Sequence, residues 1–110
     1  MGKEMGSGHI VIFVTCSSRE EAETIADALL SKKIVACANM ISGVKSNFWW
    51  KGRIDSADET LLVLKTTKKN FANVEKAVKR LHSYDVPEII ALPIAAGSKS
   101  YLDWIDKSVK

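Results

Sequence analysis

The first apolar stretch of the chain is an unbroken run. Ile10-Val11-Ile12-Phe13-Val14 is largely β-branched and ends at the polar stretch Thr15-Cys16-Ser17-Ser18. A run without alternation predicts a central strand that buries both faces. The period then becomes helical: Ala22, Ile25, Ala26, Leu29 and Leu30 recur at i, i+3, i+4, i+7 and i+8, giving one stripe to lay on a sheet. Ser17 and Ser18 each have a glutamate three positions on, Glu20 and Glu21, so either serine can build a capping box over the first free N–H groups. Lys32 and Lys33 complement the dipole at the far end.

Extended chain resumes at Ile34 and runs through Met40-Ile41 and Gly43-Val44 to Phe48-Trp49-Trp50. Lys51-Gly52 predicts a two-residue hairpin turn, because glycine accepts the positive φ such turns require. The partner strand runs from Arg53-Ile54 to Lys65-Thr66. Both arms exceed the usual length of about five or six residues, and a bulge is expected near Gly43. A second helix over about Asn70 to Leu81 carries Phe71, Val74, Ala77, Val78 and Leu81 on one face. Pro87 opens a last strand, Glu88 to Ile94, in which Pro93 withholds one N–H and so marks an edge or an end. A final amphipathic helix carries Tyr101, Leu102, Trp104, Ile105 and Val109.

The order β-α-β-β-α-β with an extra C-terminal helix predicts an α+β fold: a ferredoxin-like, four-stranded antiparallel sheet with two helices on one face. It forms a single domain over 10–110 behind a flexible leader over 1–9. Two helices shield only one face, yet the strands are apolar at consecutive positions, and Trp49 and Trp50, adjacent in a strand, point to opposite sides. At roughly 25 cal/mol per Å² and 150 to 250 Å² per aromatic, exposing even one forfeits several kcal/mol. Self-association through the second face and the long hairpin is therefore expected; the alternative is that the last helix folds back over its own sheet.

Composition changes this picture little. The chain has 110 residues, 46% hydrophobic and 26% charged, the balance of a folded globular domain. Its net charge of +3 comes from 16 basic against 13 acidic residues, too small a surplus to announce nucleic acid. RNA binding is further disfavoured because Leu61 to Leu64 contains none of the aromatics expected on an RNA-binding central strand. No apolar run approaches the roughly 20 residues needed to span a bilayer, and no secretory pattern opens the chain, so a cytoplasmic protein without membrane insertion is expected. Cys16 and Cys37 are expected as free thiols there.

Candidate metal ligands are Cys16, Cys37, His82, Glu59 and His9, soft or borderline donors for copper or zinc. No CxxC, HxH or HExxH spacing joins them, so a site must be assembled from distant strands or several copies. Cys37 also reads as a small buried thiol, and His82 as a satisfied histidine at a helix end. Cys16, at a strand-to-helix turn where a helix N-terminus lowers a thiol pKa, is the better candidate for reactivity. Trp50, Lys65, Tyr84 and Glu88 fall at strand ends and can line a cleft for an anion or small molecule. They read equally as interface packing (Trp50), a half-buried hydroxyl (Tyr84) and an ion pair (Glu88 with Lys65). A Cys37–His82 nucleophilic enzyme lacks any orienting group or oxyanion loop of recognisable signature, and no phosphate-binding glycine loop occurs. No catalysis is expected.

Thr15-x-x-x-x-Glu20, Ile34-Val35-Ala36-Cys37-Ala38-Asn39, Trp50-x-Gly52, Lys65-Thr66, His82-x-Tyr84, Pro87-Glu88 and Tyr101-Leu102-x-Trp104, in that order from about Ile10 onward, resemble the CutA divalent-cation tolerance proteins. The resemblance implies a ferredoxin-like protomer, a homotrimer held by long intermolecular strands, a cytoplasmic role, and involvement in the response to Cu2+ and other divalent metal ions. Two positions depart from the family pattern: Ser17 and Ser83 stand where prolines are expected, removing residues that fix φ. The alternative function is a trimeric sensor resembling the PII signalling proteins, binding a nucleotide or anion between subunits.

Overall fold

The computed structural model describes residues 7–110. Its elements are β1 (His9–Cys16), α1 (Arg19–Ser31), β2 (Cys37–Trp50), β3 (Arg53–Thr67), a short 3-10 turn (Lys68–Asn70), α2 (Phe71–Leu81), β4 (Ile89–Pro93) and α3 (Lys99–Ser108). The strands form one sheet in the order β2-β3-β1-β4, with every neighbouring pair antiparallel. This is the split β-α-β arrangement that the element order predicts.

The sheet's two faces differ. Ile10, Ile12, Val14 and Cys16 of β1 and Leu62 and Leu64 of β3 are buried with Ile25, Leu29, Val74 and Val78 of α1 and α2 in one core. The alternate positions Val11, Phe13, Leu61 and Val63 are only half-buried. The expectation that β1 buries both faces is therefore met on one. On the other face α3 covers one end: Tyr101 lies beside Cys37, Asp106 accepts a 2.9 Å contact from His9, and Ile105 is fully buried. Ile90 and Leu92 remain 50% and 45% exposed there. The last helix thus folds over its own sheet, but only in part.

The local signals act where they were read. Lys51 and Gly52 both take positive φ, 52° and 77°, the turn whose twist matches a hairpin. The register shifts between Ile41 and Val44, with Gly43 at φ 78°, as a bulge requires. β4 is an edge strand, where Pro93 costs no ladder bond.

Boundaries differ where tertiary contacts decide them. Helix α1 ends in a Schellman motif: the Lys33 N–H donates to the Leu30 carbonyl and the Ile34 N–H to the Leu29 carbonyl, with Lys33 at φ 58°. Ile34 and Val35 are consumed by that turn and buried, so β2 starts at Cys37 rather than Ile34. The last strand covers 89–93 rather than 88–94, although the Ile94 N–H still donates to the His9 carbonyl. Val109 falls just beyond α3. Of the leader expected over 1–9, residues 1–6 lie outside the described residues; Ser7 bonds Ile94, Gly8 accepts from Lys68, and His9 opens β1.

Beyond the Cys16–Thr60 pair, β3 has no neighbour but β2 among the described residues. Val44–Trp50 and Arg53–Glu59 therefore form a two-stranded ribbon about 23 Å long. Trp49 is 73%, Ile54 67% and Trp50 54% exposed. The radius of gyration, 14.8 Å, exceeds the roughly 13 Å of a compact chain of this length, because the ribbon projects.

Candidate functional site

Polar side chains converge where β1 ends. Ser18 caps α1, accepting from the Glu21 N–H at 3.1 Å. In a capping box the glutamate would reach back to the cap residue itself; Glu21 reaches one residue further. Its Oε1 accepts from the Ser17 N–H at 2.8 Å and the Ser17 hydroxyl at 3.0 Å, and its Oε2 accepts from the Ser83 N–H at 2.7 Å. One carboxylate thus joins the turn after β1 to the turn after α2.

His82 closes α2 and its ring lies beneath this bridge, its side chain fully buried. Nε2 donates to the Thr15 carbonyl at 2.7 Å, and Nδ1 accepts from the Tyr84 N–H at 3.1 Å. A carbonyl only accepts and an amide N–H only donates, so these partners fix a neutral ring protonated at Nε2. The Tyr84 hydroxyl donates to Glu59 Oε2 at 2.8 Å, and its ring tilts against His82 with centroids 4.7 Å apart.

These contacts set the electrostatics. Burial works to raise the Glu21 pKa, but the hydrogen bonds from Ser17 and Ser83 outweigh it and hold the carboxyl down at about 2. Burial, reinforced by the charges of Glu21 and Glu59, pushes the Cys16 thiol up to about 12. Burial and the bond to Glu59 push the Tyr84 phenol up to about 12. The reactivity expected of Cys16 from its place before a helix is thereby overturned: a sealed thiol flanked by two carboxylates stays protonated.

Of the predicted site residues, Cys16, His82, Glu59 and Tyr84 come together here, and Glu88 lies exposed at the same end of the sheet, just before the Ile89–Val14 pair. Cys37 does not join them. It pairs across the ladder with Lys65, while Cys16 pairs with Thr60, five residues and about 17 Å away along β3. Both cysteines are free. The Lys65 ammonium donates to the Asn39 side-chain carbonyl and lies 4.0 Å from Cys37 Sγ, so it does not pair with Glu88. Trp50 is at the ribbon tip, above a shallow groove shared with Lys51, Arg53, Ile54 and Asp55. Within one copy the cleft set Trp50, Lys65, Tyr84 and Glu88 is dispersed. His9 is engaged by Ser7 and Asp106.

The residue missed as a site group is Glu21, singled out only as a helix cap. Its signal was indirect: two serines where prolines are expected, each restoring a backbone donor.

The sequence profile described as CutA1 divalent ion tolerance protein matches residues 10–108 of this chain. The chain belongs to this family. Among relatives, the divalent-cation tolerance protein CutA of Archaeoglobus fulgidus is 48% identical over 102 residues, which is 93% of this chain and 99% of the relative. The solved structure of the divalent cation tolerance protein of Thermus thermophilus superposes with a TM-score of 0.91 at 42% identity, covering 93% of this chain and 99% of that one. That of Xylella fastidiosa CutA superposes at 0.92 with 31% identity, covering 94% and 100%. The four-stranded antiparallel sheet and three helices are thus the CutA1 fold, and the family's name connects it with divalent cations.

Against that name the donor atoms can be tested. Cys16, Glu21 and His82 are the one group among the described residues whose thiol, carboxylate and imidazole atoms lie within 4.8 Å of one another. Such a mixed set suits zinc or copper in kind. In the arrangement seen, the donors are engaged within the chain: the buried thiol is held protonated, both Glu21 oxygens accept hydrogen bonds, and both His82 nitrogens are used.

Proposed function

We propose that this CutA1-family chain is a binding module in the response to divalent metal ions, Cu2+ among them, and that it acts in the cytoplasm as a homotrimer without catalytic turnover. The observation that carries the metal reading is the convergence of a thiol, an imidazole and a carboxylate at one pole of a chain whose family is named for divalent-ion tolerance. Cys37, on the other face of the sheet, and Glu59, behind Tyr84, are further donors that only another copy or a rearranged pole can bring in. The absence of turnover is supported by the sealed Cys16 thiol and by a His82 ring with both nitrogens committed, which leaves neither a nucleophile nor a base poised at the pole. Assembly is supported by the ribbon: two strands alone are marginal in water, and this pair exposes Trp49, Trp50 and Ile54.

Calorimetric titration of the purified assembly with Cu2+, Zn2+ and a nucleoside triphosphate tests the proposal. Stoichiometric metal binding, abolished by Cys16→Ser together with Cys37→Ser, is the expected result. Nucleotide binding without metal, and no metal uptake, would transfer the function to the PII-like alternative.

A further inference from the structure

We infer that Glu21 is a gate over the Cys16–Glu21–His82 cluster, and that the backbone donors of Ser17 and Ser83 hold it shut. Ser17 and Ser83 are 66 positions apart, yet their hydroxyls stand 3.4 Å from each other and their N–H groups grip the two oxygens of the same carboxylate. The Glu21 carboxylate lies within 4.8 Å of the Cys16 thiol, which has no exposure to solvent. Each bond is charge-assisted, the stronger class of hydrogen bond. A proline at either position has no N–H to give. A residue other than proline at both positions is therefore what makes the closed state possible in this chain, and Glu21 is a positioning residue held by those two backbone donors. What the gate admits depends on the metal reading proposed above; that it is closed does not.

Alkylation of Cys16 by iodoacetamide, without metal and in a Cys37→Ser background, reads the gate directly. The pair Ser17→Pro and Ser83→Pro removes every bond described, and alkylation is expected to rise at least about tenfold, as losing charge-assisted hydrogen bonds implies. Ser17→Ala with Ser83→Ala keeps both backbone donors and is expected to stay near the parental rate. Should the proline pair not fold, Glu21→Gln serves, since its amide cannot accept on both sides; an intermediate rate is expected. Parental alkylation in a folded proline pair or in Glu21→Gln would overturn the gate. So would equal acceleration by Ile12→Val, which loosens the core without touching Glu21. Titration with Co2+ separates the two readings. A thiolate-to-cobalt absorption band reached at lower Co2+ in the proline pair, and lost in Cys16→Ser, supports both. Faster alkylation with no such band in any variant supports the gate and removes metal from this cluster. An identical band in parent and proline pair overturns the gate and leaves the metal reading standing.

Discussion

The pole where β1 ends and the ribbon where β2 and β3 run on are both built on β3, and they solve opposite problems. At the pole the buried polar side chains find partners inside one chain: Glu59 with Tyr84, His82 with Thr15 and Tyr84, Glu21 with Ser17 and Ser83. No buried side-chain nitrogen or oxygen among the described residues lacks a hydrogen bond. Along the ribbon the same strand has lost its β1 neighbour, and large apolar side chains face outward. Closure within one copy is thus a property of half of β3. The difference teaches that a strand's fate follows its neighbours more than its own composition: Leu62 is fully buried and Ile54 is mostly exposed on one continuous strand.

That contrast can be broken from either side. The largest effect is expected in the helix-covered core: Leu62→Ala should cost about 2–5 kcal/mol. Denaturant titration should find this loss at every protein concentration, because the contact is internal. Acidification comes next. The folded pKa of Glu21 is depressed, so its contribution is full above the unfolded value near 4.5 and is lost as pH falls through about 2. A decline of up to about 3 kcal/mol over that window, less what solvent screening removes, is expected in the parent. Stability curves of Glu21→Gln should be flatter there; coincident curves would show that the carboxylate bridge contributes nothing. Tyr84→Phe leaves the buried Glu59 without its donor, and thermal unfolding should register a loss of about 1.5–3 kcal/mol. The smallest effect is a gain: Lys33 sits at φ 58°, and Lys33→Gly relieves that strain for about 0.5–1 kcal/mol. A loss on that substitution would show that the lysine side chain holds the Schellman turn.

The sequence announced what depends on neighbours close along the chain. Lys51-Gly52, Gly43 and Pro93 act through their own backbone angles or missing donor, so each fell where it was read. The start of β2 was not legible, because the Schellman turn takes Ile34 out of the extended run. Cys16 was misjudged for a related reason. The helix N-terminus beside it is visible locally, whereas the opposing charge comes partly from Glu59, which only the sheet brings near. The Glu21–Ser83 bond spans 62 positions and left only the trace of two unexpected serines. Of the nine metal and cleft candidates, the fold gathers those whose positions converge on the end of β1 and disperses His9, Cys37, Lys65 and Trp50 along the sheet.

Sedimentation equilibrium at micromolar protein, with the parent beside Trp49→Ala and Ile54→Ser, tests most directly whether one copy is incomplete. The parent is expected to sediment at three times the chain mass, and the ribbon variants to shift toward smaller species while keeping their helical circular dichroism. A parent that sediments as a stable, compact monomer would contradict the account.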